Sequence, residues 1–548
     1  MSYYCRKTSL GALISLFIVF FMSCAPVTFR PTPPPHSPIV RVGLVQDVQS
    51  ISLTADKPFF VTTKTVGEKY RLGEKGEWTI QSNPQPESVP QQIYKVRLAH
   101  CDTKSQAQKV VQKAREKGIP CTIENSGEVL RMSSRTIAGR ATFYVDINHE
   151  FKTRQQAEQA LDGMNNFKDA AVISTDASPN GIIKITSAKN KTLKLKDAIR
   201  CAGAQFTISD IPVGQGYHWA HHESRTFAGE LEFILNHKGT MTVVNVLPLS
   251  DYLSGVLPGE MSSTFPLEAL KAQAIAARTY FLHNFGRKHR NDPFDVCADV
   301  HCQSFVGVET SEKNEQAIRE TLGQVLVYKG ELCSTPYSAM CGGHTEFAQN
   351  VWRSDGEDYL KGVFDVPNPK VVEARFDLTT EANARKWIEA DADVFCNVGR
   401  NGSPKFAEYA KKYFRWKNTF TRQQLEQSIT KRTGRSFGSL LDLIPKNRGV
   451  SGRLVELTVV GTKDTFAIKR ELNIRKALSP NTLFSACIVF DKTDGLDGLP
   501  EQFIIKGAGW GHGVGMCQIG AAMMALNKYK ASDILKHYYQ GAVIDKLY

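Results

Sequence analysis

Asp251-Tyr252-Leu253-Ser254-Gly255-Val256-Leu257-Pro258-Gly259-Glu260-Met261 leads through Ser262-Ser263-Thr264-Phe265-Pro266 into Leu267-Glu268-Ala269-Leu270-Lys271-Ala272-Gln273-Ala274-Ile275-Ala276-Ala277-Arg278-Thr279-Tyr280. The second half carries a helix signal. Leu267, Leu270, Ala274, Ala277 and Phe281 recur at alternating spacings of three and four, which makes one apolar stripe. Pro266 is tolerated in a first turn, and Ser262, Ser263 and Thr264 offer N-caps. Lys271 and Arg278 lie seven apart and are expected on one polar face. Val256 to Met261 reads as a loop that exposes Glu260 while rigid neighbours hold it.

Upstream, Glu230-Leu231-Glu232-Phe233-Ile234-Leu235 and Met241-Thr242-Val243-Val244-Asn245-Val246 read as strands joined by a turn at His237-Lys238-Gly239. Short strands such as Val40 to Val45 and Phe59 to Val61 occupy residues 39–80. Between Tyr94 and Ile173 a strand-helix unit occurs twice. Strands at Tyr94 to Leu98 and Thr142 to Ile147 precede helices at Ser105 to Lys117 and Thr153 to Met164. Both helices open on a Gln-Ala pair, Gln106-Ala107 and Gln156-Ala157. At 548 residues one core is improbable, so the fold class is α+β and multidomain, with mixed sheets and a central helix after the Glu260 loop.

Arg6 and Lys7 precede an apolar run from Leu10 to Met22, followed by Ser23-Cys24-Ala25-Pro26. The run is shorter than the roughly 20 residues needed to span a bilayer and reads as an export signal. A cysteine at the break resembles a lipoprotein signal with Cys24 acylated, although Phe21 and Met22 match that pattern poorly. The Pro-rich stretch Pro31 to Pro35 fits a stiff tether. The net charge of +13 favours an acidic partner, and with no zinc-finger or RNA-binding signature nucleic acid is not expected.

Near the C-terminus, glycines fall at 507, 509, 511, 513 and 515 after the strand-like Phe503-Ile504-Ile505. No start gives a dinucleotide register, and no Gly-Lys-Ser/Thr follows. Alternating glycines instead let the backbone pass close to another chain or a sugar, with His512 presented at the site. Cys297, His301 and Cys302 form a soft-ligand cluster. With a water or a fourth ligand such as His289 they would satisfy tetrahedral zinc, a disulfide or free thiols being the alternatives. The group His218, His221 and His222 is a weaker metal candidate, since adjacent histidines rarely converge without a carboxylate partner. A zinc amidase is disfavoured, because neither His149-Glu150 nor His222-Glu223 is followed by the second histidine of H-E-x-x-H. Gly434-Arg435-Ser436-Phe437-Gly438 follows a polar helix-like stretch rather than a buried strand, so it is no nucleophile elbow.

The 251–280 stretch, together with Gly509-Trp510-Gly511-His512-Gly513-Val514-Gly515-Met516-Cys517-Gln518-Ile519-Gly520-Ala521, resembles the SpoIID/LytB family, the stage II sporulation protein D and amidase-enhancer group. Smaller matches lie between them in the same order: Cys341 to Glu346, Tyr413 to Trp416, and Ser451 to Arg453. The resemblance implies a peptidoglycan lytic transglycosylase that cleaves glycan strands, peptide-free ones above all, with Glu260 as the catalytic acid. The rival implied by the same family is a non-catalytic amidase enhancer. Lys271 and Arg278 match basic helix residues that would take the lactyl carboxylate of muramic acid. Ser262 stands where the family has proline. Implied partners are glycan strands, an N-acetylmuramoyl-L-alanine amidase and, through Cys24, a membrane facing the periplasm or cell wall. The layout expected is a signal at 1–23, a tether at 24–38, a β-rich segment at 39–90, a unit at 91–175 resembling a SPOR glycan-binding module, and the catalytic region at 176–548 with an insertion around 365–450.

Overall fold

The computed structural model describes residues 37–547, except 64–66, 73, 85–92, 102, 127–129, 133–134, 139–141, 165, 168, 176–180, 197, 218, 237, 290–291, 310, 353–355, 370–375 and 497. The signal at 1–23, Cys24 and nearly all of the tether lie outside them. Among the described residues no helix is long and apolar enough to cross a membrane.

The architecture is α+β, built on two sheets that share one core. A seven-stranded sheet runs in the order Val296–Cys297, Ile39–Val48, Met241–Pro248, Glu230–Leu235, Ile199–Ala202, Phe59–Thr63, Lys69–Leu72. Val42 faces Asn245 across an antiparallel pair, and Val243 faces Phe233. The six-stranded sheet contains Gly181–Ser187, whose residues alternate strictly between buried and half-buried, the signature of one covered face. The sheets meet at Phe59, whose ring lies 5.3 Å from both Trp78 and Phe206 in edge-to-face contacts.

The doubled unit folds as the sequence pattern predicts. Strands Ile93–Cys101, Cys121–Ser126, Thr142–Ile147 and Ala171–Thr175 form a separate four-stranded sheet covered by helices Lys104–Arg115 and Arg154–Asp162. Each helix opens on the same capping box. Thr103 and Thr153 accept the backbone N–H of Gln106 and Gln156, whose side chains bond back to the cap. The alanine after each glutamine, Ala107 or Ala157, is fully buried. That explains the repeated Gln-Ala pair.

The stretch before the central helix departs from its reading. Leu249–Glu260 is a helix rather than a loop, with Pro258 inside it and Glu260 as its last residue. Leu249, Tyr252, Leu253, Val256 and Leu257 repeat at helical spacing and are all buried. Burial at about 2 kcal/mol each outweighs the ~3 kcal/mol cost of an interior proline. The central helix Leu267–Asn284 begins after Pro266, with no side-chain cap. It is buried on every side rather than along one stripe, because helices Leu249–Glu260, Glu312–Glu320, Gln518–Leu526 and Ala531–Tyr538 all pack on it.

Residues 416–505 hold a second core built from two three-stranded sheets and the helices Arg422–Thr433 and Glu471–Ala477. The smaller sequence matches meet at its edge. Glu346, buried, accepts five hydrogen bonds, from Phe347 N, Asn350 Nδ2, Val450 N, Ser451 N and Ser451 Oγ. Arg453 donates to the carbonyls of Cys341 and His344, and Trp416 Nε1 donates to the Gly509 carbonyl. Gly434, in the rejected serine motif, is the left-handed cap that ends Arg422–Thr433.

Candidate active site

Two glycines on one face of the helix Leu249–Glu260 set the site. A Cβ at Gly255 would lie 2.6 Å from the Gly307 carbonyl oxygen, and one at Gly259 would lie 2.5 Å from that of Ser304. Their absence lets the helix press on residues 304–307, and the Ser304 N–H donates to Glu260 Oε1 at 2.8 Å. The glycine run at 509–515 supplies the opposite wall. Gly509, Gly511, Gly513 and Gly515 all have positive φ, between 72° and 102°, and side chains there would strike Met340, Ser338, Arg453 and Pro336. The run therefore lies along residues 336–342, and Tyr337–Ser338 pairs with Met516–Cys517 in parallel.

That pairing brings Tyr337 and Gln518 beside the Glu260 carboxyl, where both favour its ionised form. Gln518 Nε2 also donates to the Glu260 carbonyl at 3.2 Å, satisfying an acceptor left open at the helix end. Behind Tyr337, Gln303 Nε2 donates to the Tyr337 hydroxyl at 2.9 Å, and Gln303 Oε1 accepts from the Tyr252 hydroxyl at 3.0 Å. Since the Tyr337 oxygen already accepts a bond, its proton is free to turn toward Glu260. Burial pushes the Glu260 carboxyl up to about 7, against the pull of Ser304, Tyr337 and Gln518. Its place at a helix C-terminus acts in the same direction, because the negative end of the dipole disfavours a carboxylate.

A family model described as Stage II sporulation protein matches residues 237–328, the stretch that carries Glu260. A second, a domain of unknown function (DUF8618), matches residues 346–515. An uncharacterized protein of Brachyspira hyodysenteriae is 33% identical over 319 residues, covering 58% of this chain and 72% of that protein. Stage II sporulation protein D of Bacillus subtilis is 27% identical over 320 residues, 55% of this chain and 76% of its own length. The Bacillus subtilis amidase enhancer is 27% identical over 305 residues, 53% of this chain but 40% of the enhancer. The chain belongs to the SpoIID/LytB family.

Other candidate residues of this SpoIID/LytB chain do not all reach Glu260. Arg278 is fully buried and donates to the Gln324 carbonyl, so it is a core residue rather than a glycan contact. Lys271 is committed to two carboxylates, Glu268 at 2.8 Å and Glu320 at 2.5 Å. The single polar face expected for this pair fails because the helix is enclosed. Glu268 also accepts the Ala531 N–H at 2.9 Å; burial opposes its ionisation, but Lys271 and that N–H hold its carboxyl below the usual range.

His512 sits in the glycine run, four residues before Met516, which pairs with Tyr337. Its Nδ1 accepts the Val514 N–H at 3.0 Å. Burial, reinforced by the charges of Arg453 and Arg475, pushes it down to about 3. It is thus a neutral ring. Its face meets Trp352, 4.9 Å between centroids, and Trp352 is 41% exposed.

The cluster after the central helix brings four candidate ligands together. One donor atom from each of His289, Cys297, His301 and Cys302 lies within 4.8 Å of the others. His289 Nε2 is 3.2 Å from Cys302 Sγ, and His289 Nδ1 is 2.7 Å from Asp292, which orients the ring. Two thiols, two imidazoles and an outer carboxylate fit tetrahedral zinc. By contrast His221 and His222 turn to separate carboxylates, Glu223 and Asp210. Tyr337, Gln303 and Ser304 escaped the sequence reading. They come from segments without periodicity, whereas Gln518 and Tyr252 lay inside the quoted motifs.

Proposed function

We propose that this chain is a peptidoglycan lytic transglycosylase, with Glu260 as general acid and then general base. The observation that carries the reading is a motif carboxyl pushed up to about 7 and ringed by Ser304, Tyr337 and Gln518. Near neutral pH such a group holds a proton and can release it. Protonated Glu260 gives its proton to the glycosidic oxygen as the bond to the anomeric carbon of N-acetylmuramic acid breaks. The carboxylate so formed takes the proton of the same sugar's 6-hydroxyl, whose oxygen bonds to the anomeric carbon. A 1,6-anhydro end results, no water is consumed, and Glu260 regains its proton. One carboxyl serves both steps, so a second is not required.

Tyr337 and Ser304 stabilise the transient carboxylate, and Trp352 beside His512 offers an exposed aromatic face for a sugar ring. The Cys297 cluster holds a structural zinc that ties the segment after the central helix to the strand Ile39–Val48, with which Val296–Cys297 pairs. The same reading makes the protein an exported, Cys24-anchored lipoprotein whose 93–175 unit binds glycan. The test is product analysis. Purified protein incubated with peptide-free glycan should yield anhydromuramyl ends by mass spectrometry. Reducing ends would make it a hydrolase instead. Inert glycan together with a stimulated amidase would favour the enhancer reading, which the likeness to the Bacillus subtilis amidase enhancer supports.

A further inference from the structure

A second group of soft ligands lies apart from both Glu260 and the Cys297 cluster. Cys341, Asp365, Cys396 and Cys517 are all buried, and one donor atom of each lies within 4.8 Å of the others. They come from four separate segments, which the fold brings to one point. Cys341 Sγ and Cys396 Sγ are 3.6 Å apart. Zinc–sulfur bonds of about 2.3 Å arranged as a tetrahedron would put sulfurs about 3.8 Å apart, whereas a disulfide requires about 2.05 Å.

We propose that Cys341, Cys396, Cys517 and Asp365 bind a divalent transition-metal ion of the zinc class. The three thiols lose their protons to solvent on binding, so four negative ligand charges face the ion's two. The surroundings suit that excess. Cys517 Sγ accepts the N–H groups of Cys341 at 3.2 Å and Gly520 at 3.3 Å, the latter in the first turn of the helix Gln518–Leu526. Asp365 accepts from Tyr538 Oη at 2.6 Å and from Cys396 N at 2.8 Å, outer-sphere donors that aim a ligating carboxylate. Arg453 and Arg415 reach the carbonyls of Cys341 and Gly342, which brings two guanidinium groups beside the cluster. Three thiolates with one carboxylate select zinc-class ions over magnesium or calcium, which prefer all-oxygen shells. The site is enclosed, so the ion enters as the chain folds.

The position gives the ion a consequence. Cys517 pairs with Ser338 and precedes Gln518, which bonds Glu260. The ion would therefore fasten the wall that carries Tyr337 and Gln518, although its presence requires no assumption about the reaction.

Metal analysis of the reduced full chain, refolded with zinc and dialysed, tests this. Two equivalents are expected in the wild type. One should remain in Cys297→Ser/Cys302→Ser, and cobalt loaded into that variant should give intense thiolate-to-cobalt charge-transfer absorption, lost on adding Cys396→Ser. The wild-type stoichiometry needs no variant to fold. No metal in the wild type, a single wild-type equivalent that Cys297→Ser/Cys302→Ser abolishes and Cys396→Ser leaves, or a Cys341–Cys396 disulfide in the peptide map of metal-loaded protein would overturn the proposal.

Discussion

Glu260 and Glu346 are both glutamates of quoted motifs, yet the fold uses them in opposite ways. Glu346 is sealed in and accepts five hydrogen bonds from two segments, so both its oxygens are saturated. Glu260 is partly buried, at the dipole-disfavoured end of a helix, with a single donor, the Ser304 N–H, on its carboxylate. A saturated carboxylate is an anchor. A sparsely held one with a raised pKa is suited to carry a proton. Environment, rather than residue type, assigns the role.

The largest effect should come from Glu260→Gln, which keeps shape but removes the transferable proton. Glycan cleavage should fall by on the order of 10²–10⁴ in initial rate, with glycan retained in pull-down assays. The same variant should weaken a stability trend. With its carboxyl raised from 4.5 to about 7, the folded wild type keeps a proton that the unfolded chain has released. Stability from this group is present below about pH 4.5 and is lost as pH rises to 7. Denaturant melts at pH 5 and pH 8 should show a smaller gap in Glu260→Gln than in wild type.

Glu346→Gln should do the converse. Leaving buried donors without a carboxylate should cost about 3 kcal/mol in denaturant unfolding. Any loss of cleavage should track the unfolded fraction. Equal loss of rate in folded protein would erase the contrast between the two glutamates.

Tyr337→Phe deletes one donor to the Glu260 carboxylate. Cleavage should slow roughly tenfold, and the alkaline limb of its pH profile should move upward, because the ionised form loses support. A limb that stays where it is would mean that Tyr337 does not act on Glu260. Smallest of all, Lys271→Met should change stability by less than about 1 kcal/mol and leave glycan affinity unchanged, since its partners are Glu268 and Glu320.

Much of this was legible in the sequence where a local rule governs. The hairpin at 230–246, the doubled strand-helix unit and the catalytic candidate Glu260 follow from periodicity, capping and motif. The helix 249–260 was hidden by Pro258 and Gly259, although Leu249, Tyr252, Leu253, Val256 and Leu257 already spelled its buried face. Arg278 misled because a charged residue on an alanine-rich helix suggests a solvent face, and only tertiary packing shows that the helix is enclosed. The Cys341 group joins residues up to 176 positions apart, and no local spacing announces such a site.

The central claim is that Glu260 carries the proton that breaks the glycan. Its most direct test is the rate of anhydromuramyl-end formation from peptide-free glycan between pH 5 and 9, in wild type and Glu260→Gln. The account predicts a wild-type rate that falls as pH passes about 7, the value to which burial pushes this carboxyl. It also predicts a variant that is nearly inert at every pH. A wild-type rate undiminished at pH 9, or a Glu260→Gln rate matching wild type, would contradict it.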